Sequence, residues 1–240
     1  MQRELNRRTM LGRMLAGGAA MALPGKAFAQ SLTDEFDKAF GLRQPTPMPV
    51  LDAVPEAPAL PTVLQPNPAY DRKVLAIAKR ELERAGSSVW RGDIVGVADF
   101  ARPSTLPRLH FANLENGTVR SFYVAHGRGS DKEHDGWLKT FSNVPGSEAT
   151  SRGAYVTAEW YKGKYGTSIR LVGLDPDNRT ALERAIVMHP APYADPSWIA
   201  KFGKLGRSEG CFAMAPDQFN EALWNLSGGR LLFADRIGDA

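Results

Sequence analysis

Residues 206–214, Gly206-Arg207-Ser208-Glu209-Gly210-Cys211-Phe212-Ala213-Met214, contain the single cysteine of the 240-residue chain. A glycine directly before a cysteine permits backbone angles that other residues avoid and leaves room for a substrate to approach. The backbone amides of Gly210 and Cys211 are therefore candidates for an oxyanion hole. A cysteine nucleophile reacts as its thiolate, which a neighbouring imidazole generates by accepting the proton. The stretch thus indicates a nucleophilic Cys211 that needs a histidine partner.

His189 is the candidate base among the four histidines of the chain. It ends the apolar, β-like run 185–188 and is followed by the turn sequence Pro-Ala-Pro at 190–192, so it sits at a strand end beside a loop. It precedes Cys211 by 22 residues, which allows the two to lie on neighbouring strands. The spacing alone also fits a structural histidine.

The other three histidines have less specific interpretations. His126 either lines a groove or is structural, and His110 lies in a strand-like run where it is packed or at the surface. His134 lies among charged residues and is expected to be solvated. Since no metal-ligand spacing of a known type is present, the sequence predicts neither a metal site nor a cofactor.

The first 29 residues have the parts of an export signal. The pair Arg7-Arg8 precedes a short apolar run at 14–23, and Ala27-Phe28-Ala29 supplies small residues at a cleavage site. We expect a cleaved signal peptide over 1–29, of the twin-arginine type, and a location in the periplasm or cell envelope. An ordinary signal or an uncleaved anchor stays open. Because a membrane span needs roughly 20 residues, no stable span is expected after cleavage.

The charge balance argues against a nucleic-acid partner. Five of the 30 basic residues and one of the 26 acidic residues lie in the first 29 positions, which leaves 25 of each from Gln30 onward. A formally neutral remainder lacks the basic excess that binding to nucleic acid requires. The single cysteine also excludes an intramolecular disulfide. The oligomeric state does not follow from the sequence.

Residues 30–66 are predicted to form a proline-rich arm or linker. Eight of the 17 prolines lie between Pro45 and Pro68, and proline disfavours both regular helix and central strand. A plain tether and an arm that lies against the folded domain both fit this composition. The folded domain is predicted to span 67–240.

This domain is predicted to be mainly β with a few helices. Asn67 can cap a first helix, Pro68 suits its first turn and Gly86 can end it. A second short helix is expected over Pro216–Leu226, and 126–150 form a long polar loop of a kind that is usually functional or mobile. The strand-like runs, two of them joined by an Asn-Gly hairpin turn at 116–117, are 93–100, 108–113, 118–125, 153–160, 168–172, 185–189 and 230–233.

Short motifs follow one another in a fixed order between Val97 and Met214. They occupy residues 99–100, 103–104, 124–130, 141–143, 161–166, 171–174, 185–189 and 206–211. This ordered series resembles the L,D-transpeptidase catalytic domain family of peptidoglycan enzymes, in particular its murein L,D-transpeptidase subgroup. The resemblance implies a β-sandwich-like catalytic domain, in agreement with the strand-rich pattern.

The resemblance also assigns roles to residues of this chain. It places the catalytic cysteine on Cys211, the catalytic histidine on His189, and the oxyanion hole on the backbone of Gly210 and Cys211. It implies a backbone carbonyl as the group that orients His189. The residues that it places near the substrate groove are Gly153, Tyr155, Tyr193, Arg207, Ser208 and His126.

Two positions depart from the family pattern. Many members have glycine after the catalytic histidine and arginine two residues after the cysteine, whereas this chain has Pro190 and Ala213. Proline removes a backbone donor and stiffens the turn that positions the imidazole. Without that arginine, Arg207 or Arg152 becomes the candidate for recognising a substrate carboxylate.

The resemblance implies acyl transfer between peptidoglycan stem peptides. Cys211 would attack the carbonyl of an L-centre residue, expected to be diaminopimelate, and the terminal D-amino acid would leave with a proton from His189. An acceptor amine would then resolve the thioester and form a crosslink. Resolution by water would instead give an L,D-carboxypeptidase or amidase. The changes at Pro190 and Ala213 also leave open an inert wall-binding module.

Overall fold

The computed structural model describes residues 67–238. The predicted signal peptide over 1–29 and the proline-rich arm over 30–66 lie outside the described residues. Residues 67–238 contain three α-helices, which are α1 (Pro68–Ala85), α2 (Pro196–Phe202) and α3 (Phe219–Asn225). The eight strands in the same range are β1 (Ile94–Asp99), β2 (Leu109–Asn113), β3 (Thr118–Phe122), β4 (Gly153–Gly163), β5 (Gly166–Gly173), β6 (Val187–Pro190), β7 (Phe212–Met214) and β8 (Leu231–Asp235).

All eight strands belong to one sheet, in the order β3-β2-β1-β8-β4-β5-β6-β7. Two of its strand pairs, β1 with β8 and β6 with β7, are parallel, and the other pairs are antiparallel. The segment that follows β3 also pairs with β7, at Ala125 and Ala213. This pairing joins the two edges, so the sheet curls on itself. The prediction of a mainly β domain with a few helices is confirmed.

The curled sheet encloses one hydrophobic cluster and carries another on its outer face. The inner cluster combines residues from distant strands, among them Leu109, Tyr155, Met188 and Phe212. The outer cluster packs the apolar side of α1 against β1 and β8. Each large apolar side chain that is fully buried in this way contributes roughly 1.5–3 kcal/mol.

Helix α1 forms where its sequence signals predict it. The Asn67 side chain accepts a hydrogen bond from the Tyr70 N–H at 3.1 Å, Pro68 occupies the first position, and the Gly86 N–H closes the helix on Leu82. The predicted strand runs all contain strands, and the Asn116-Gly117 turn lies between β2 and β3 as expected, with Gly117 at φ +70°.

Three elements differ from the sequence prediction because they are short. Strand β7 has three residues, all buried, so it lacks the alternation that marks a strand. Helix α2 was not predicted, although Asp195 caps it and Pro196 starts it, because seven residues show too little periodicity. Helix α3 begins at Phe219 rather than Pro216. No helix within 67–238 is both long and apolar enough to cross a membrane.

Candidate active site

The strand register brings Cys211 and His189 to neighbouring positions. Parallel strands β6 and β7 pair Met188 with Phe212 and His189 with Ala213. Continued by one residue, the same register sets Val187 opposite Cys211. Since side chains alternate between the two faces of a strand, Cys211 and His189 share a face and lie one diagonal step apart. The 21 residues between them in sequence, 190–210, form the excursion that contains α2.

The Cys211 thiol is nearly buried and rests on a backbone carbonyl. The residue is 8% exposed. Its sulfur lies 3.6 Å from the Ala185 carbonyl oxygen. Burial raises the pKa of the thiol, while the Val187 amide and the charge of Arg184 act in the opposite direction and Glu209 adds to the increase. The resting thiol is therefore neutral and donates a hydrogen bond to the Ala185 carbonyl oxygen.

The His189 imidazole is oriented for accepting a proton. Its Nδ1 lies 3.0 Å from the carbonyl oxygen of Pro190, and because a carbonyl only accepts, Nδ1 carries the hydrogen and Nε2 keeps its lone pair. The Tyr165 ring stacks on the imidazole with 4.5 Å between centroids. Burial lowers the pKa of His189, and the bond to Pro190 partly offsets this.

Thiol and imidazole are thus both neutral, and each is bonded to a different carbonyl. Among the described residues no hydrogen bond joins the Cys211 sulfur to His189. Transfer of the proton requires the thiol to turn from Ala185 towards Nε2. Long or absent catalytic hydrogen bonds are common in a site without substrate, since they tighten when the substrate binds.

Ser208 holds the segment that carries Cys211. Its hydroxyl donates to the Cys211 carbonyl oxygen at 2.6 Å and accepts from the Gly210 N–H at 3.2 Å. Its own N–H donates to the His126 carbonyl oxygen at 2.9 Å. The Gly210 amide, a predicted oxyanion donor, is therefore engaged with Ser208 at rest and becomes available only when that long bond opens.

Glycine is the residue type that fits position 210. It has φ +113°, and a Cβ built there would lie 2.7 Å from Ile186 Cδ1 and 2.8 Å from the Ala149 carbonyl oxygen. The same Cβ would lie 3.3 Å from a terminal nitrogen of Arg184. Both the positive φ and the close backbone contact require glycine.

Arg184 is a residue of this site that the sequence did not reveal. It lies in the turn before β6, and its guanidinium donates to the Ser142 and Ala149 carbonyl oxygens and to the Ser151 and Ser147 hydroxyls. Burial lowers its pKa, while Tyr155 and Cys211 act to raise it. No motif marks this arginine, because only the fold brings the turn against Gly210 and Cys211.

The sequence of residues 67–234 matches the family model described as the L,D-transpeptidase catalytic domain. The chain belongs to this family. No curated protein matches the chain. The family assignment therefore depends on the match over 67–234.

Solved structures of L,D-transpeptidases are similar to this chain at low identity. An L,D-transpeptidase from Mycobacterium smegmatis is 16% identical, with 60% of this chain and 58% of that chain covered and a TM-score of 0.35. L,D-transpeptidase 3 from Mycobacterium tuberculosis is 12% identical, with 60% and 61% covered and a TM-score of 0.38. The helical cell shape determining protein Pgp2 from Campylobacter jejuni is 13% identical, with 68% and 56% covered and a TM-score of 0.40. The match spans less than two thirds of the length of each of these chains.

Tyr193 and Arg207, which the sequence predicts near a substrate groove, lie at the segment of this L,D-transpeptidase domain that carries Cys211. The half-buried Tyr193 packs its ring over Gly206. Burial is the main cause that raises the pKa of its hydroxyl, and the charge of the nearby Cys211 is the second. The Arg207 guanidinium donates to the carbonyl oxygen of Asp131. That bond ties the nucleophile segment to the 126–150 loop, which is held in place by hydrogen bonds along its length.

Tyr155 and Gly153 occupy places that differ from the expectation of a substrate groove. Tyr155 is fully buried, its hydroxyl donates to the Ser151 carbonyl oxygen at 2.7 Å, and its ring meets Phe212 edge-on. Its side chain therefore supports β7 from the core and has no surface for a substrate. Gly153 lies at the start of β4 against Asp175 rather than against Cys211.

His126 is part of a buried polar cluster. Arg108 donates to its Nδ1 at 2.6 Å, so Nε2 carries the hydrogen. Nε2 points at Asp131 Oδ2 from 3.4 Å, which is too long for a well-formed hydrogen bond, and it has no other partner. Burial, followed by the charge of Arg108, lowers the pKa of His126 to about 4. The ring is neutral and structural, and its backbone carbonyl anchors Ser208.

One concave region of the described residues is lined by neither Cys211 nor His189. A cavity of about 480 Å³ is bordered by α1, β4, β8 and the turn after β5. Arg152 lines it and pairs with Asp235 at 2.7 Å, while Arg84 pairs with Asp175 at 2.6 Å. Within residues 67–238, no group of three or more His, Cys, Asp or Glu side chains is placed to hold a metal ion.

Proposed function

We propose that this chain is a peptidoglycan L,D-transpeptidase that crosslinks stem peptides through a thioester on Cys211. The observation that carries the proposal is the pairing of β6 with β7, which sets Cys211 and an oriented, neutral His189 on one face. A thiol beside an imidazole whose second nitrogen is fixed by a carbonyl is the arrangement that nucleophilic acyl transfer requires.

The reaction follows from these groups in two stages. The Cys211 proton moves to His189 Nε2, and the thiolate attacks the carbonyl of the L-centre residue of the donor stem. The carbonyl oxygen takes the negative charge and accepts hydrogen bonds from the Gly210 and Cys211 amides. The C–N bond then breaks, and His189 returns the proton to the leaving D-amino acid. An acceptor amine attacks the thioester, forms the crosslink and restores the thiol.

Product analysis distinguishes this proposal from its alternatives. The purified full-length chain is incubated with disaccharide-tetrapeptide, and the products are measured by mass spectrometry. We expect crosslinked dimers and one released D-amino acid per crosslink, and we expect Cys211→Ala to give neither. Trimmed monomers without dimers would instead identify an L,D-carboxypeptidase or amidase. An absence of any product, together with an unreactive thiol, would identify a wall-binding module.

We infer that the chain acts in the periplasm or cell envelope, where peptidoglycan stems are accessible. The support is the sequence of the first 29 residues, in which Arg7-Arg8 precedes an apolar run and Ala27-Phe28-Ala29. Cell fractionation of the chain and of Arg7→Lys/Arg8→Lys tests this inference. The double variant is expected to stay in the cytoplasm, and equal export of both chains would contradict the twin-arginine assignment.

A further inference from the structure

Arg184 is anchored against Gly210, the residue before Cys211, and one of its terminal nitrogens lies 3.3 Å from the position that a Gly210 Cβ would take. Its two terminal nitrogens make four hydrogen bonds, to Ser142 O at 2.7 Å, Ser151 Oγ at 2.6 Å, Ala149 O at 2.6 Å and Ser147 Oγ at 3.2 Å. These bonds use the four N–H donors of the two terminal nitrogens, out of the five that a guanidinium carries. A bidentate bond to a substrate carboxylate would break them. What remains available to the site is the positive charge.

Ala185 acts on the same sulfur as Arg184. It is a non-glycine residue with φ +52°, a backbone conformation that costs alanine about 1–2 kcal/mol. Its carbonyl oxygen accepts a hydrogen bond from the Cys211 thiol, with 3.6 Å between oxygen and sulfur. Two consecutive residues of one turn therefore act at this place: the Ala185 carbonyl holds the neutral S–H of Cys211, and Arg184 places a positive charge against the neighbouring Gly210.

The other ionisable groups around the sulfur do not supply a positive charge. Glu209 acts against the thiolate, and its side chain is 63% exposed. Burial keeps Tyr193 in its neutral form by raising its pKa, and burial lowers the pKa of His189, which favours the neutral imidazole. Of the charged groups that act on the thiol within 67–238, Arg184 is the one that favours the thiolate.

We propose that Arg184 is the positioning residue of the nucleophile, a fixed cation that stabilises the Cys211 thiolate once the proton has moved from Sγ to His189 Nε2. The proposal rests on the proposed function only in naming Cys211 as the reacting group. In that step the S–H bond breaks, its electron pair stays on sulfur, and the N–H bond forms on the imidazole. Arg184 keeps its four hydrogen bonds throughout.

The test measures thiol reactivity and needs no peptide substrate. Full-length wild type, Arg184→Gln and Arg184→Lys are alkylated with iodoacetamide between pH 7 and pH 9, and the second-order rate is followed by mass spectrometry. Below the thiol pKa this rate is proportional to the thiolate fraction. We expect Arg184→Gln to react about tenfold more slowly at every pH, the lower end of the effect of an adjacent opposite charge. Arg184→Lys is expected to recover most of that loss.

The matched control is Arg120→Gln, which breaks the exposed ion pair with Glu221 of α3. It is expected to leave the alkylation rate unchanged. If Arg184→Gln does not fold, Ser147→Asp sets a carboxylate against the guanidinium and is compared with Ser147→Asn. A folded Arg184→Gln, or failing that Ser147→Asp, that reacts as fast as its reference would overturn the proposal. A chain that alkylates as expected but forms no crosslinks would keep this inference and reject the proposed function.

Discussion

Single residues show what this site has at its two departures from the family pattern. Pro190 lacks a backbone N–H, but its carbonyl is free to accept the His189 Nδ1 hydrogen, which is the bond that orients the imidazole. Ala213 is fully buried in a cluster of small residues with Ala125 and Ala191. An arginine would not fit there, whereas the guanidinium of Arg184 lies against Gly210, next to Cys211.

Replacing His189 by glutamine removes the proton acceptor. We expect kcat for donor-peptide turnover to fall at least about 10²-fold, the usual contribution of a general base, with little loss of folded protein. His134→Gln is the control, since that ring bonds the Leu205 carbonyl. Because burial lowers the pKa of His189, the acid limb of wild-type kcat/KM should lie below about pH 6.5. A limb above that value would contradict a neutral resting imidazole.

Replacing Gly210 by alanine introduces strain and a steric clash. The φ of +113° disfavours any Cβ, and the Ala149 carbonyl oxygen cannot move away as a side chain can. We expect a loss of about 2–4 kcal/mol in the free energy of unfolding, measured by urea titration. Gly203→Ala tests the φ contribution alone, because Gly203 has φ +73° and nothing within 4 Å. Equal losses in both variants would show that the contact with Ala149 is unimportant.

At the scale of elements, a chain of side-chain hydrogen bonds connects α1 to the sheet. The Tyr70 hydroxyl donates to Asp99 Oδ2 at 2.6 Å and lies 3.1 Å from His110 Nε2, while His110 Nδ1 lies 2.8 Å from Ser121 Oγ. Since the tyrosine proton goes to the carboxylate, Nε2 carries a hydrogen and Nδ1 accepts from the serine. Helix, β1, β2 and β3 are thereby linked by hydrogen bonds.

Tyr70→Phe breaks this chain in its middle. It leaves the buried Asp99 and His110 each without one partner, which costs about 1–3 kcal/mol per unsatisfied group, so we expect a comparable fall in the free energy of unfolding in urea. Tyr161→Phe is the control, because Tyr161 contacts Arg170 through its ring and its hydroxyl makes no hydrogen bond within 67–238. A Tyr70 variant as stable as the control would show that these hydrogen bonds do not contribute to stability.

At the scale of the whole molecule, two buried neutral histidines make stability depend on pH. Burial and then Arg102 lower the pKa of His110 to about 3, and burial and then Arg108 lower that of His126 to about 4. As pH falls below about 6.5, the unfolded chain binds protons that the folded chain does not. Stability is therefore lost on acidification, by up to about 1.4 kcal/mol per pH unit for each histidine.

Urea titrations between pH 6.5 and pH 4.5 measure this dependence. We expect His110→Gln, which keeps an amide for hydrogen bonding, to show a slope that is smaller than the wild-type slope over that window, by up to about 1.4 kcal/mol per pH unit. An unchanged slope would mean that His110 is protonated in the folded chain, against its buried environment.

Much of this protein is determined by sequence because the signals are local. The cap at Asn67, the proline at Pro68 and the glycine at Gly86 define α1, since each acts on backbone groups next to it. Seven of the eight strands within 67–238 carry enough β-favouring residues to be recognised, and a glycine followed by the single cysteine marks the segment proposed to carry the nucleophile. The ordered motifs and these signals together were sufficient for the fold class and for the family.

What only the tertiary structure decided are the relations between segments distant in sequence. The parallel register of β6 and β7 gives Cys211 and His189 a common face, and three-residue β7 has no local pattern of its own. Tyr155 lies in the core, Ser208 accepts a hydrogen bond from Gly210, and Arg184 lies against Gly210 without any motif to predict it. Sequence patterns report the preference of a residue for its immediate backbone, whereas burial, pKa shifts and these contacts depend on which surfaces the folded sheet brings together.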